Sequence, residues 1–62
     1  MSTTPLLLTE KEVGEALSVS RSALRKLWRE GRLVPLKLGR SIRYPAGDVR
    51  AFVEGLITEQ RG

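Results

Sequence analysis

The sequence predicts a mainly α domain of three helices with a small β-hairpin between the second and the third. Three observations carry that prediction. Apolar residues recur at helical spacing around Val13, Leu24 and Val49. A stretch of alternation with a glycine near its middle, Val34 to Tyr44, separates the second helical pattern from the third. The chain has 62 residues, which is room for one small core and no second, so residues 1–62 are read as a single domain.

Met1 to Pro5 is a polar start with nothing to tie it down and reads as disordered. The first helix has a full set of start signals. Thr9 is an N-cap and Glu12, three residues on, completes a capping box. Leu8 and Val13 are placed to form a hydrophobic staple across the cap. Val13, Ala16 and Leu17 make the core stripe, with Glu10, Lys11, Glu12 and Glu15 on the solvated side. Gly14 costs about 1 kcal/mol relative to alanine in a helix interior, and reads either as tolerated weakness or as a close crossing by the next helix.

Ser18-Val19-Ser20 makes a short turn after Leu17, with Val19 plugging the corner. Ser20 caps a second helix that runs to Glu30, and Gly31 is the expected left-handed residue just past its end. Leu24, Leu27 and Trp28 share its apolar face, so Trp28 reads as core. Ser22, Lys26 and Arg29 point away, Arg25 lies on the flank and Arg21 nearer the core edge. Two helices joined by three residues, the second basic on its outer face, form a helix-turn-helix.

The alternation of Val34, Leu36 and Leu38, resumed by Ile42 and Tyr44 after Gly39-Arg40-Ser41, predicts the hairpin. Its apolar side is expected to face the helices, leaving Lys37, Arg40 and Arg43 outward, as in a DNA-binding wing. Pro45 ends the second strand. Val49, Phe52, Val53, Leu56 and Ile57 then define the stripe of a third helix, with Asp48 suited to its N-terminal dipole.

The charge is as informative as the pattern. Eleven Lys and Arg face seven Asp and Glu, for a net charge of +4. The eight cations between Ser20 and Pro45 are opposed only by Glu30, whereas elsewhere carboxylates outnumber cations. A basic face set apart in this way suits a polyanionic partner. With no cysteine and no histidine, the chain has no disulfide framework, no ordinary zinc site and no imidazole or thiolate for catalysis. The expectation is a protein that is not an enzyme and that uses neither metal nor cofactor. The apolar run Leu6 to Leu8 is too short to span a bilayer or to form a signal-peptide core, which favours a cytoplasmic protein with no membrane partner.

A family resemblance rests on motifs in a fixed order. Leu7-Leu8-Thr9-x-x-Glu12-Val13-x-x-x-Leu17-x-Val19-Ser20-Arg21 opens it. Leu27-x-x-Glu30-Gly31-Arg32-Leu33, Gly39-Arg40-x-x-Arg43-Tyr44 and Asp48-Val49-x-Ala51-Phe52 follow. From Leu7 to Leu56 the chain resembles the excisionases, small winged-helix proteins of the MerR superfamily. It departs from them at Trp28, more often aliphatic there, and at Ala23, often a hydroxyl residue.

The resemblance implies a recombination directionality factor of a bacteriophage or other mobile element. Such a protein binds double-stranded DNA beside attachment sites, bends it in the bacterial nucleoid and turns an integrase toward excision. The same fold serves small MerR-like transcriptional regulators, which the motifs do not separate from excisionases. An adaptor that binds protein and is basic for solubility is the reading from another class.

The DNA-contacting set expected from helix-turn-helix docking starts at the second helix, where Ser20, Arg21, Ser22 and Arg25 lie nearest the major groove. Lys26 and Arg29 follow as phosphate contacts. Arg40, with Ser41 in the hairpin tip, is placed for the minor groove or for a phosphate at its edge, and Lys37 and Arg43 for the backbone. Because the chain stops at Gly62, shortly after Ile57, a monomer that self-associates cooperatively along DNA, with an integrase as a further partner, is expected.

Overall fold

The computed structural model describes residues 6–62, so the reading of Met1 to Pro5 as disordered lies outside the described residues. In chain order the elements are β1 (Leu7–Leu8), α1 (Glu10–Leu17), α2 (Arg21–Arg29), β2 (Leu36–Leu38), β3 (Ser41–Pro45) and α3 (Ala46–Arg61). Three helices and a three-stranded antiparallel sheet make the expected winged helix-turn-helix, with a mainly α composition.

Local chemistry sets the helix ends. The capping box of α1 is complete: the Glu12 N–H donates to Thr9 Oγ1 at 3.1 Å and the Thr9 N–H to Glu12 Oε1 at 2.8 Å. At the other end of α1 the Val19 N–H bonds Gly14 O and the Ser18 N–H bonds Glu15 O, with Ser18 left-handed at φ 57°. Helix α2 ends by the same closure, Arg32 N–H to Leu27 O and Gly31 N–H to Trp28 O, with Gly31 at φ 73°. This is the Schellman arrangement, built once on glycine and once on serine. The tight spot at Gly14 belongs to the turn rather than to a helix crossing: a Cβ there would sit 3.2 Å from the Val19 carbonyl oxygen.

The core is Val13 of α1, Leu24 of α2, Leu33 of the connecting loop, Tyr44 of β3 and Val49 of α3. Leu8, Leu17, Val19, Leu27 and Phe52 pack around it. Each helix thus contributes one buried anchor, and the sheet contributes a tyrosine. Ile57, expected in the α3 stripe, is 45% exposed, because the helix runs past the edge of a domain this small.

Two sheet features depart from the expectation. Leu7 and Leu8 form a third strand, paired with Pro45 and Tyr44 on the far edge of β3 and extended by Ala46 N–H to Leu6 O at 2.9 Å. The order is therefore β1-β3-β2.

The hairpin also turns on two residues, not three. Leu38 pairs with Ser41, so Ser41 belongs to β3 and only Gly39-Arg40 form the tip. Gly39 lies at φ 63° while Arg40 does not reach positive φ, the pattern of a type II′ turn. One residue of register exchanges the faces of a strand. Leu36 consequently stands opposite Arg43, and Lys37 opposite Ile42. Leu36 and Leu38, expected against the helices, lie on the outer face and are each 49% exposed. Lys37 and Arg43, expected on one side of the wing, project from opposite sides.

Candidate nucleic-acid interface

Helix α2 is held by its start and by its buried face. The Ser20 hydroxyl oxygen accepts from the Ala23 N–H at 3.2 Å, which fixes the first turn and commits that oxygen to the cap. Leu24 is fully buried and sets the rotation of the helix. Arg21, Ser22, Arg25, Lys26 and Arg29 are all exposed. Arg21, Ser22, Arg25 and Arg29 line one open groove along α2 together with Trp28. Lys26 is not among them. It borders a separate, mainly apolar groove with Leu17, Leu27 and Phe52, between the helices.

Trp28 corrects an expectation. It is half-buried rather than enclosed, and the Arg25 guanidinium carbon stands 5.9 Å from its ring centroid. Helical spacing placed Trp28 beside Leu24, but an indole is too large for a core of five buried residues and spreads into the arginine groove.

In the wing, Arg40 is exposed at the tip and Lys37 on β2. Arg43 is half-buried; its Nη1 donates to the Ile42 carbonyl at 2.7 Å, which draws the guanidinium along the strand.

Residues 7–56 match the family model described as a helix-turn-helix domain. The chain belongs to that family. No curated protein and no solved structure matches it. Membership points to DNA binding, and among the described residues no helix is long and apolar enough to cross a membrane.

Within this helix-turn-helix domain, charge is distributed less simply in space than along the chain. Glu10, expected on the solvated side of α1, is only 13% exposed at its side chain and reaches between two arginines of α2. Its Oε1 lies 3.1 Å from Arg21 Nε and its Oε2 3.2 Å from Arg25 Nε. The second contact is ionic rather than a well-aligned hydrogen bond, since the buried Oε2 makes no hydrogen bond among the described residues. Arg32 is drawn the other way, 3.5 Å from Glu59 of α3 and stacked over Phe52. Lys26, Arg29, Lys37, Arg40 and Arg43 make no ion pair among the described residues.

Tyr44 connects the sheet to this cluster. Burial pushes its phenol pKa above the usual 10.0, the Glu10 carboxylate adds to the effect, and Arg25 opposes it. Beside the cap, the Thr9 N–H chiefly, and then the Thr9 side chain, hold the Glu12 carboxyl below its ordinary 4.5, with a smaller contribution from Arg43. The start of α1 is thus where the arginines of α2 and the base of the wing come together.

Glu10 and Trp28 are the two residues of this site that the sequence reading placed elsewhere. Nothing local marks Glu10, because its partners lie on another helix.

Proposed function

We propose that this helix-turn-helix domain is an excisionase: a sequence-specific DNA-binding protein that acts beside attachment sites, bends the duplex and directs an integrase toward excision. The observation that carries the DNA-contacting part is the open groove along α2 where Arg21, Ser22, Arg25 and Arg29 converge. A recognition helix enters the major groove by its N-terminal residues. Arg21 and Arg25 suit guanine O6 and N7, Ser22 a base edge or a phosphate, and Arg29 a phosphate. Arg40, at a tip only two residues wide, suits a narrow minor groove. The opposed sides of Lys37 and Arg43 let the wing touch the backbone on both flanks.

The recombination role is supported by the ordered motifs from Leu7 to Leu56. It is tested by footprinting on the attachment region of the parent element, together with an excision assay using that element's integrase with and without this chain. A protected segment beside the crossover and excision that depends on the chain are the expected results. Protection without any effect on excision replaces the excisionase reading with a transcriptional regulator. A chain that shifts no duplex at physiological salt is an adaptor instead.

A further inference from the structure

We propose that Glu10 is a positioning residue for DNA recognition, holding Arg21 and Arg25 by their Nε edges so that their terminal amino groups face the bases. The inference rests on the DNA-binding reading above and adds the residue that would convert two mobile cations into a reading head.

The geometry has three parts. First, the anchor is firm. Glu10 opens α1 inside the capping box, directly after the N-cap Thr9, which fixes its backbone, and its carboxylate is mostly enclosed while Arg21 and Arg25 are 76% and 52% exposed. Second, both contacts are made through Nε, at 3.1 and 3.2 Å. A guanidinium engaged there keeps both terminal nitrogens free, and these form the fork that grips guanine O6 and N7. Third, Arg25 has a second restraint in the Trp28 ring. Without Glu10, two like charges one helical turn apart repel and disperse.

Charge balance gives the contact a second consequence. One carboxylate shared by two guanidinium groups lowers their pull on phosphates, the sequence-independent part of binding. Glu10 therefore restrains non-specific affinity while it favours base contacts. A purely structural ion pair would stabilise the fold without changing the ratio between the two.

The test compares the unsubstituted chain with Glu10→Gln and Glu10→Asp on two duplexes: one selected by the unsubstituted chain from a random-sequence library, and its scrambled counterpart. For E10Q we expect a lower affinity for the selected duplex and a higher one for the scrambled duplex. Each arginine released to a phosphate steepens the log–log salt slope by about 0.9. Discrimination falls by about 5- to 150-fold for one lost bidentate contact, and E10D recovers part of it. In the chain without DNA, the Nε–H resonance of Arg21 should be shifted and slowly exchanging, and should collapse to solvent-exposed behaviour in E10Q. Unchanged discrimination in E10Q, or a free-arginine Nε–H signal from Arg21 in the unsubstituted chain, overturns the proposal; the second result needs no variant to fold. An unsubstituted chain that binds both duplexes equally overturns it too, whereas one that binds neither removes the DNA-binding reading and this inference with it.

Discussion

Replacing Tyr44 with phenylalanine should make this protein more stable. The ring is fully buried, and its hydroxyl oxygen has no hydrogen-bond partner among the described residues. An unsatisfied buried hydroxyl costs about 1–3 kcal/mol. Phenylalanine keeps the ring, the packing against Val13 and Leu24 and the pairing with Leu8, and removes only the oxygen. Taking the lower end, a gain of about 1 kcal/mol corresponds to about 4–8 °C in melting temperature for a domain of this size.

The assay is thermal and urea unfolding followed by circular dichroism, with an unchanged urea m-value as the sign that the fold is intact. A pH series adds an independent signature. The folded-state pKa is raised, so ionisation of the phenol takes nothing from stability below about pH 10, and stability falls as pH rises from there through the folded value. Y44F should lack this alkaline loss. Tyr44 is the only tyrosine, so tyrosinate absorbance follows it directly. A variant less stable than the parent by 1 kcal/mol or more would mean that the hydroxyl is bonded in solution, and the reasoning would fail.

Three further outcomes are expected. Ser18→Gly should raise stability by about 0.5–1 kcal/mol in the same melts, since relief of a left-handed L-residue outweighs the greater freedom of glycine when unfolded. Thr9→Ala should cost about 0.5–2 kcal/mol through loss of the cap. The Glu12 carboxyl is held below 4.5 chiefly by the residue-9 N–H, which alanine keeps, so its contribution is present above that pH and disappears as pH falls through the depressed folded value in T9A and parent alike. Arg40→Ala should leave the melting temperature unchanged while weakening duplex binding several-fold, with a salt slope shallower by about 0.9 if the lost contact is a phosphate; an unaltered gel shift would show that the wing tip stays clear of DNA.

The parts of the structure that were legible in the sequence are those decided by neighbours in the chain. Thr9 with Glu12, Ser20, and Gly31 each satisfy backbone groups within a few residues of themselves, so the ends of α1 and α2 follow from local chemistry. The wing was legible in kind but not in register. Counting Ser41 into the tip moves the side chains of β2 to the wrong face while leaving Tyr44 of β3 in place, and only the pairing of Leu38 with Ser41 exposes the error. Strand β1 was missed because two leucines carry no periodicity, and their partners, Pro45 and Tyr44, lie far along the chain beyond both α2 and β2. The same distance hid Glu10. The arginines of the site could be named from their helix; the residue that restrains them is visible only once α1 and α2 are packed.

The pairing of Leu8 with Tyr44 has a consequence for how the domain folds. The contact joins the beginning of the chain to the end of the hairpin, so α1, α2 and the wing all lie inside the loop it closes. Closing that loop carries an entropy cost that rises with its length, whereas the helical turns and the two-residue hairpin each close over a few residues. The local pieces can therefore form first, with β1 docking late and adding its edge to a β3 already zipped to β2. Native-state hydrogen exchange should resolve this as two tiers: the amides joining β1 to β3 open in small, frequent excursions, and those joining β2 to β3 exchange with the slower opening of the core.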